Sequence, residues 1–153
     1  MKAAREVGNA ISLSAALVNL GELAYDGGDY ATARTFWTET LAVIIANDLK
    51  TQFENIFMSL GGLLAMTNSP LNAARLWGAS EREREVLSLP ITPENQKWLT
   101  VQVTAARAAL NDDAAFDAAW QEGRALTLDD AVALALKETG EVVERSSIAG
   151  CDV

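Results

Sequence analysis

The sequence predicts an all-α chain, a stack of helical hairpins with about seven helices, and three features lead there. Half of the 153 residues are apolar, only three are proline and ten glycine, and strand signals are nearly absent, a balance that favours helix over sheet. Apolar residues recur every three or four positions along most of the chain, the phase of an amphipathic helix. Finally, the sequence repeats. Slid along itself by forty residues, it pairs Leu13 with Phe53, Leu17 with Phe57, Leu20 with Leu60, Gly21 with Gly61, Ala24 with Leu64, Ala33 with Ala73 and Trp37 with Trp77, each pair keeping size class and helical phase.

Taken in order, Lys2 to Val7 align at that offset with the end of a second helix, so the chain is expected to start partway through a repeat. That start would leave an apolar face, Ile11 included, open for weak two-fold self-association. The first full helix is expected over Ala10 to Asp26, with Leu13, Leu17, Leu20 and Ala24 as its apolar stripe and Gly21 where a neighbour approaches closely. Gly27 and Gly28 stop it. Asp29 then caps a second helix from Tyr30 to about Asn47, on which Ala33, Trp37 and Leu41 share a face. Asn47-Asp48 ends that helix with neither glycine nor proline after it, so the third helix, Thr51 to Met66, is placed by the repeat rather than by a local stop. Ser69 is the next N-cap, and Pro70 opens a fourth helix. Its alternating Glu81-Arg82-Glu83-Arg84-Glu85 reads as a solvated extension rather than a binding run.

Leu89-Pro90-Ile91-Thr92-Pro93 is the clearest linker, and Thr92 and Pro93 also cap and open the next helix, striped by Leu99, Val103, Ala106 and Leu110. Asn111-Asp112 turns the chain into a short helix bearing Phe116 and Trp120, which Gly123 is expected to terminate. Asp112 stands eight residues before Trp120, as Asp29 does before Trp37 and Ser69 before Trp77, which gives a weaker third copy with Thr104 in the glycine position. Thr127 with Asp130 opens a capping helix through Ala131, Leu134 and Ala135. Residues 1–139 are thus expected to form one domain, with repeats at roughly 10–47, 50–88 and 93–124 and the capping helix at 128–138. Residues 140–153 read as a flexible tail with Cys151 exposed.

The chain contains no histidine, the commonest general base and zinc ligand, and one cysteine, so neither an intramolecular disulfide nor a thiolate metal cluster is expected. Asp112-Asp113 and Asp129-Asp130 sit at helix starts, where negative charge favours the dipole. Gly27-Gly28-Asp29 lacks the preceding strand and following lysine of a phosphate loop and reads as a turn. No catalytic residue, metal or cofactor is therefore expected. The net charge of −9 argues against nucleic acid or an anionic membrane and favours a basic partner. No leader pattern follows Lys2 and Arg5, and the longest apolar run, Leu41 to Ala46, is too short for a bilayer, so a cytoplasmic protein is expected. Trp37, Trp77 and Trp120 share a phase that points inward, whereas Trp98 lies outside the register and is expected to be partly exposed.

Asn19-Leu20-Gly21, Gly28-Asp29-Tyr30, Ala33, Trp37 and Leu41 resemble the tetratricopeptide repeat, whose signature has Leu-Gly in its first helix and Ala then an aromatic in its second. The resemblance covers Leu13 to Ile45 and, less fully, Phe53 to Val86. A forty-residue period exceeds the usual thirty-four or so and is similar to the longer repeats in the C-terminal arms of bacterial signal-transduction ATPases and transcriptional regulators. The run from Ala119 to Leu128, followed by Ala131 to Ala135, is similar to the ending of such arms. The resemblance implies a right-handed α-α superhelix whose first helices line a concave groove. It places Ala15, Val18, Glu22, Tyr25 and Asp26 there from the first repeat, with Asn55, Met58, Gly62, Ala65 and Met66 from the second. The implied function is a non-catalytic scaffold that binds a peptide or helix with apolar anchors and positive charge. The alternative is a small-molecule-sensing arm of a multidomain ATPase or regulator.

Overall fold

The computed structural model describes residues 4–67 and 69–137, and all regular structure among them is helical. The helices are α1 (Ala4–Asp26), α2 (Tyr30–Ala46), α3 (Phe53–Met66), α4 (Pro70–Val86), α5 (Pro93–Leu110) and α6 (Asp113–Ala125), with a 3₁₀ turn at Lys50–Gln52. A seventh helix, α7, occupies residues 128–137. The expected tail and Cys151 lie outside the described residues.

Caps set the boundaries much as the sequence implies. Asp29, Thr92 and Asp112 each accept a bond from the backbone N–H three residues on, and Thr127 does so for Asp130 at 3.1 Å. Ser69 occupies the cap position of α4 without a side-chain bond, the fixed φ of Pro70 being enough to start that helix. The stop after α2 is local after all. Asp48 adopts φ 51°, and Leu49 N–H reaches back to the Ile44 carbonyl at 3.0 Å, the arrangement that Gly28 and Asp29 make after α1. A short polar side chain tolerates the left-handed region that glycine usually fills.

The two strongest hairpins repeat one packing device. Trp37 of α2 lies across Gly21 of α1 and donates its indole N–H to the Val18 carbonyl at 3.2 Å. Trp77 of α4 lies across Gly61 of α3 and donates to the Met58 carbonyl at 3.0 Å. Both rings are fully buried. A Cβ at either glycine would collide with the indole, so the glycines are there for space. Around these rings one core gathers Ala33, Leu41, Ile44, Phe57, Leu60, Leu63 and Leu76.

Two expectations for α1 need correction. Among the described residues it runs from Ala4 as one continuous helix, so Ala4 to Val7 are not the remnant of a separate one, Lys2 and Ala3 lying outside the described residues; Gly8 alone costs too little to break it. Its buried stripe is Ala10, Ser14, Leu17, Gly21 and Tyr25, while Leu13 and Leu20 are 50% and 44% exposed. The Gly21–Trp37 contact fixes the helix rotation and turns those leucines outward. By length and composition alone α1 is apolar enough to cross a membrane, a test that core helices and leader segments also pass.

The third hairpin departs from the repeat. Thr104 is exposed on α5, and Trp120, half-buried on α6, does not pack on a glycine of α5. Instead α6 packs on α4. Gly78 of α4 faces the Trp120 carbonyl, and Gly123 faces the Arg75 carbonyl, so the two backbones meet where neither could carry a Cβ. Gly123 is thus a crossing residue inside α6, not its terminator. The charged run of α4 is likewise no mere solvated extension. Glu81 and Glu85 clamp Arg124 at 2.6 Å each, and Arg84 pairs with Glu54 at 3.3 Å.

Candidate functional site

A cleft of about 200 Å³ opens where α1, α3 and α5 meet. Its first wall is the C-terminal end of α1, which supplies Glu22, Tyr25 and Asp26. Helical spacing explains the grouping, since positions three and four apart lie on one side. Trp37 of α2 reaches the cleft from beneath, and Met58 and Ser59 of α3 complete the inner surface. The opposite wall is the first two turns of α5, with Glu94, Asn95 and Trp98.

Tyr25 ties these helices together. Its ring lies 5.5 Å from that of Trp37, 5.8 Å from Trp98 and 5.3 Å from Tyr30. Its hydroxyl donates to Gln102 Oε1 at 2.6 Å and sits 3.4 Å from the Gly62 carbonyl. Burial, with lesser contributions from Tyr30 and Asp26, pushes the phenol well above its ordinary range, so it remains a protonated donor. Trp98 is partly exposed, and its six-membered ring rests on Gly62, where a Cβ would collide with it.

The cleft is acidic without a compensating base. Among the described residues three carboxylates line it, and no lysine or arginine does. Loss of hydration raises the Glu22 carboxyl above the usual 4.5, and the neighbouring Asp26 raises it further. Both effects penalise an anion that lacks a cation nearby. A second, more open hollow of about 450 Å³ beside Val103 and Trp120 is different, because its Arg107 is already bound to Asp113 and Asp117.

Of the ten residues expected in a groove, Glu22, Tyr25, Asp26 and Met58 meet in this cleft. Gly62 lies directly beneath Trp98 and is closed to a ligand. Ala15, Val18, Asn55, Ala65 and Met66 do not line the cleft. On this side α5 packs against α3. Sequence reasoning did not place Trp37, Ser59, Glu94, Asn95 or Trp98 at the site. The signal for Trp98 was the glycine pair Gly61-Gly62, which provides two seats where the first repeat has one, followed by a tryptophan outside the repeat register. No protein-family model, curated protein or solved structure gives a significant match to the chain.

Proposed function

We propose that the chain is a non-catalytic binding module, a right-handed stack of tetratricopeptide-like hairpins that engages a basic segment of a partner protein. One observation carries the reading: a cleft walled by tyrosine and tryptophan, bearing three carboxylates and, among the described residues, no base, in a chain of net charge −9. Unneutralised charge of one sign around an aromatic floor is complementary to a cationic, partly apolar ligand. The Gly–Trp seat repeated at forty residues supports the hairpin stack. The cleft is smaller than the roughly 300–1,000 Å³ typical of small-molecule pockets, which favours a side chain of an extended partner.

The second reading, a small-molecule-sensing arm, draws on the closure of α5 over Gly62, which shuts part of the groove. A capture experiment with the full chain separates the two when run beside a thermal-shift screen of metabolites. The scaffold reading expects capture of a basic protein that weakens with added salt and is lost with Glu22→Lys or Asp26→Lys. Capture indifferent to both substitutions and to salt would move the site elsewhere, and a metabolite shift without capture would favour the sensing arm.

A further inference from the structure

Resting on the scaffold reading, we infer that the cleft between α1 and α5 is a socket for one arginine side chain, whose guanidinium is held between the Trp98 and Tyr25 rings and the carboxylates of Glu22 and Glu94. The two helices contribute separate halves: Glu22 and Tyr25 come from α1, and Glu94 and Trp98 from α5. The halves are fixed to each other by the Tyr25–Gln102 bond at 2.6 Å and by the Tyr25 and Trp98 rings, 5.8 Å apart, while the Trp98 ring seated on Gly62 anchors α5 to α3. The socket is therefore preformed. Little ordering remains to be done when a ligand enters.

The arrangement discriminates among cations. Among the described residues no three carboxylates converge closely enough to hold a metal ion. Acceptors distributed around a cleft suit a spread donor set instead. Arginine has five N–H donors in a planar fork and stacks on aromatic faces, and its guanidinium is more weakly hydrated than an ammonium. A lysine ammonium would give up more hydration to enter a floor made of Met58 and indole. The volume of about 200 Å³ admits a side chain rather than a larger body.

The test uses the full chain and three acetylated, amidated pentapeptides, Gly-Ser-X-Ser-Gly, with X as arginine, lysine or citrulline, followed by chemical shifts. The arginine peptide is expected to shift the indole N–H signals of Trp98 and Trp37 and to bind about tenfold tighter than the citrulline peptide, which has the same shape without the charge. Glu22→Gln, Glu94→Gln and Trp98→Leu should each weaken the arginine peptide by a similar factor. The two amide variants keep the assignment testable should Trp98→Leu fail to fold. Equal binding of arginine, lysine and citrulline peptides, or binding unaffected by both amide variants, overturns the socket. Salt-sensitive capture of a basic protein would then still uphold the scaffold. Arginine amide alone binding as tightly as the peptide, with the same dependence on Glu22 and Glu94, would keep the socket and assign it to a free guanidinium compound, which overturns the scaffold instead.

Discussion

Two helix-interior glycines of α1 have opposite physical meaning. At Gly21 a Cβ would enter the indole of Trp37, whereas at Gly8 it would meet nothing within 4 Å. Gly8→Ala should therefore stabilise the fold by about 0.5–1 kcal/mol through helix propensity. Gly21→Ala should instead destabilise it by about 1–3 kcal/mol through overpacking. Urea denaturation of both variants checks the pair, and a gain at Gly21 would show that the indole seat is loose. Glu22 offers a residue-scale test of a different kind. Its native carboxyl titrates above the ordinary 4.5 because of lost hydration and Asp26, so between these values the native state binds more protons than the unfolded one. Stability then falls as pH rises through that window, and the penalty persists above it. Glu22→Gln escapes the penalty. Because the side chain is exposed, the gain at neutral pH should stay within about 0.5 kcal/mol, vanishing toward the acid side, while arginine-peptide binding weakens. Stability measured against pH for both proteins settles the sign; a loss at neutral pH would mean that Glu22 already has a cation.

At the scale of elements, the first four helices were legible because Gly27-Gly28-Asp29 and Ser69-Pro70 mark the turns inside the two hairpins and because the forty-residue offset brings glycine and tryptophan into register twice. What the pattern could not give was the rotation of α1. Leu13, Leu17, Leu20 and Ala24 form as good a stripe on paper as Ala10, Ser14, Leu17 and Gly21, and only the indole contact chooses between them. The third hairpin was misread for a related reason. The cap-to-tryptophan distance is a property of one helix, but the seat belongs to another, and Thr104 removes it. α6 instead takes its position from one glycine on each helix facing a carbonyl of the other, Gly123 on Arg75 and Gly78 on Trp120, and from the ion pairs of Arg124 and Arg75. These contributions should be unequal. Arg124→Ala breaks partly exposed pairs and should cost no more than about 1 kcal/mol. Gly123→Ala pushes a methyl into the Arg75 backbone, which cannot rotate away, and should cost about 1–3 kcal/mol or more. Equal losses in chemical denaturation would show that charge, not close approach, holds α6 on α4.

For the molecule as a whole, the comparison between α1 and α3 exposes what one hairpin has and the other lacks. Leu13, Ala16, Leu20 and Leu23 on α1 correspond at the forty-residue offset to Phe53, Ile56, Leu60 and Leu63 on α3. All four on α3 are buried, because α3 is flanked by α2 as well as by α4 and α5. On α1, which packs chiefly on α2, Leu23 is 71% exposed. The uncovered flank thus has the shape of a helix seat, and no charged residue lies between Glu6 and Glu22 to oppose pairing with its like. Two copies meeting through α1 about a two-fold axis would cover both flanks at once, the commonest closed arrangement. A weak, concentration-dependent dimer is expected, and Leu20→Glu or Leu23→Glu should abolish it while leaving the helical content intact, since neither residue belongs to the buried stripe. Sedimentation over about two decades of protein concentration measures the mass-action shift. A strictly monomeric chain overturns the pairing. Partition into neutral lipid vesicles in place of dimerisation would assign the same flank to a bilayer, which the length and composition of α1 also fit.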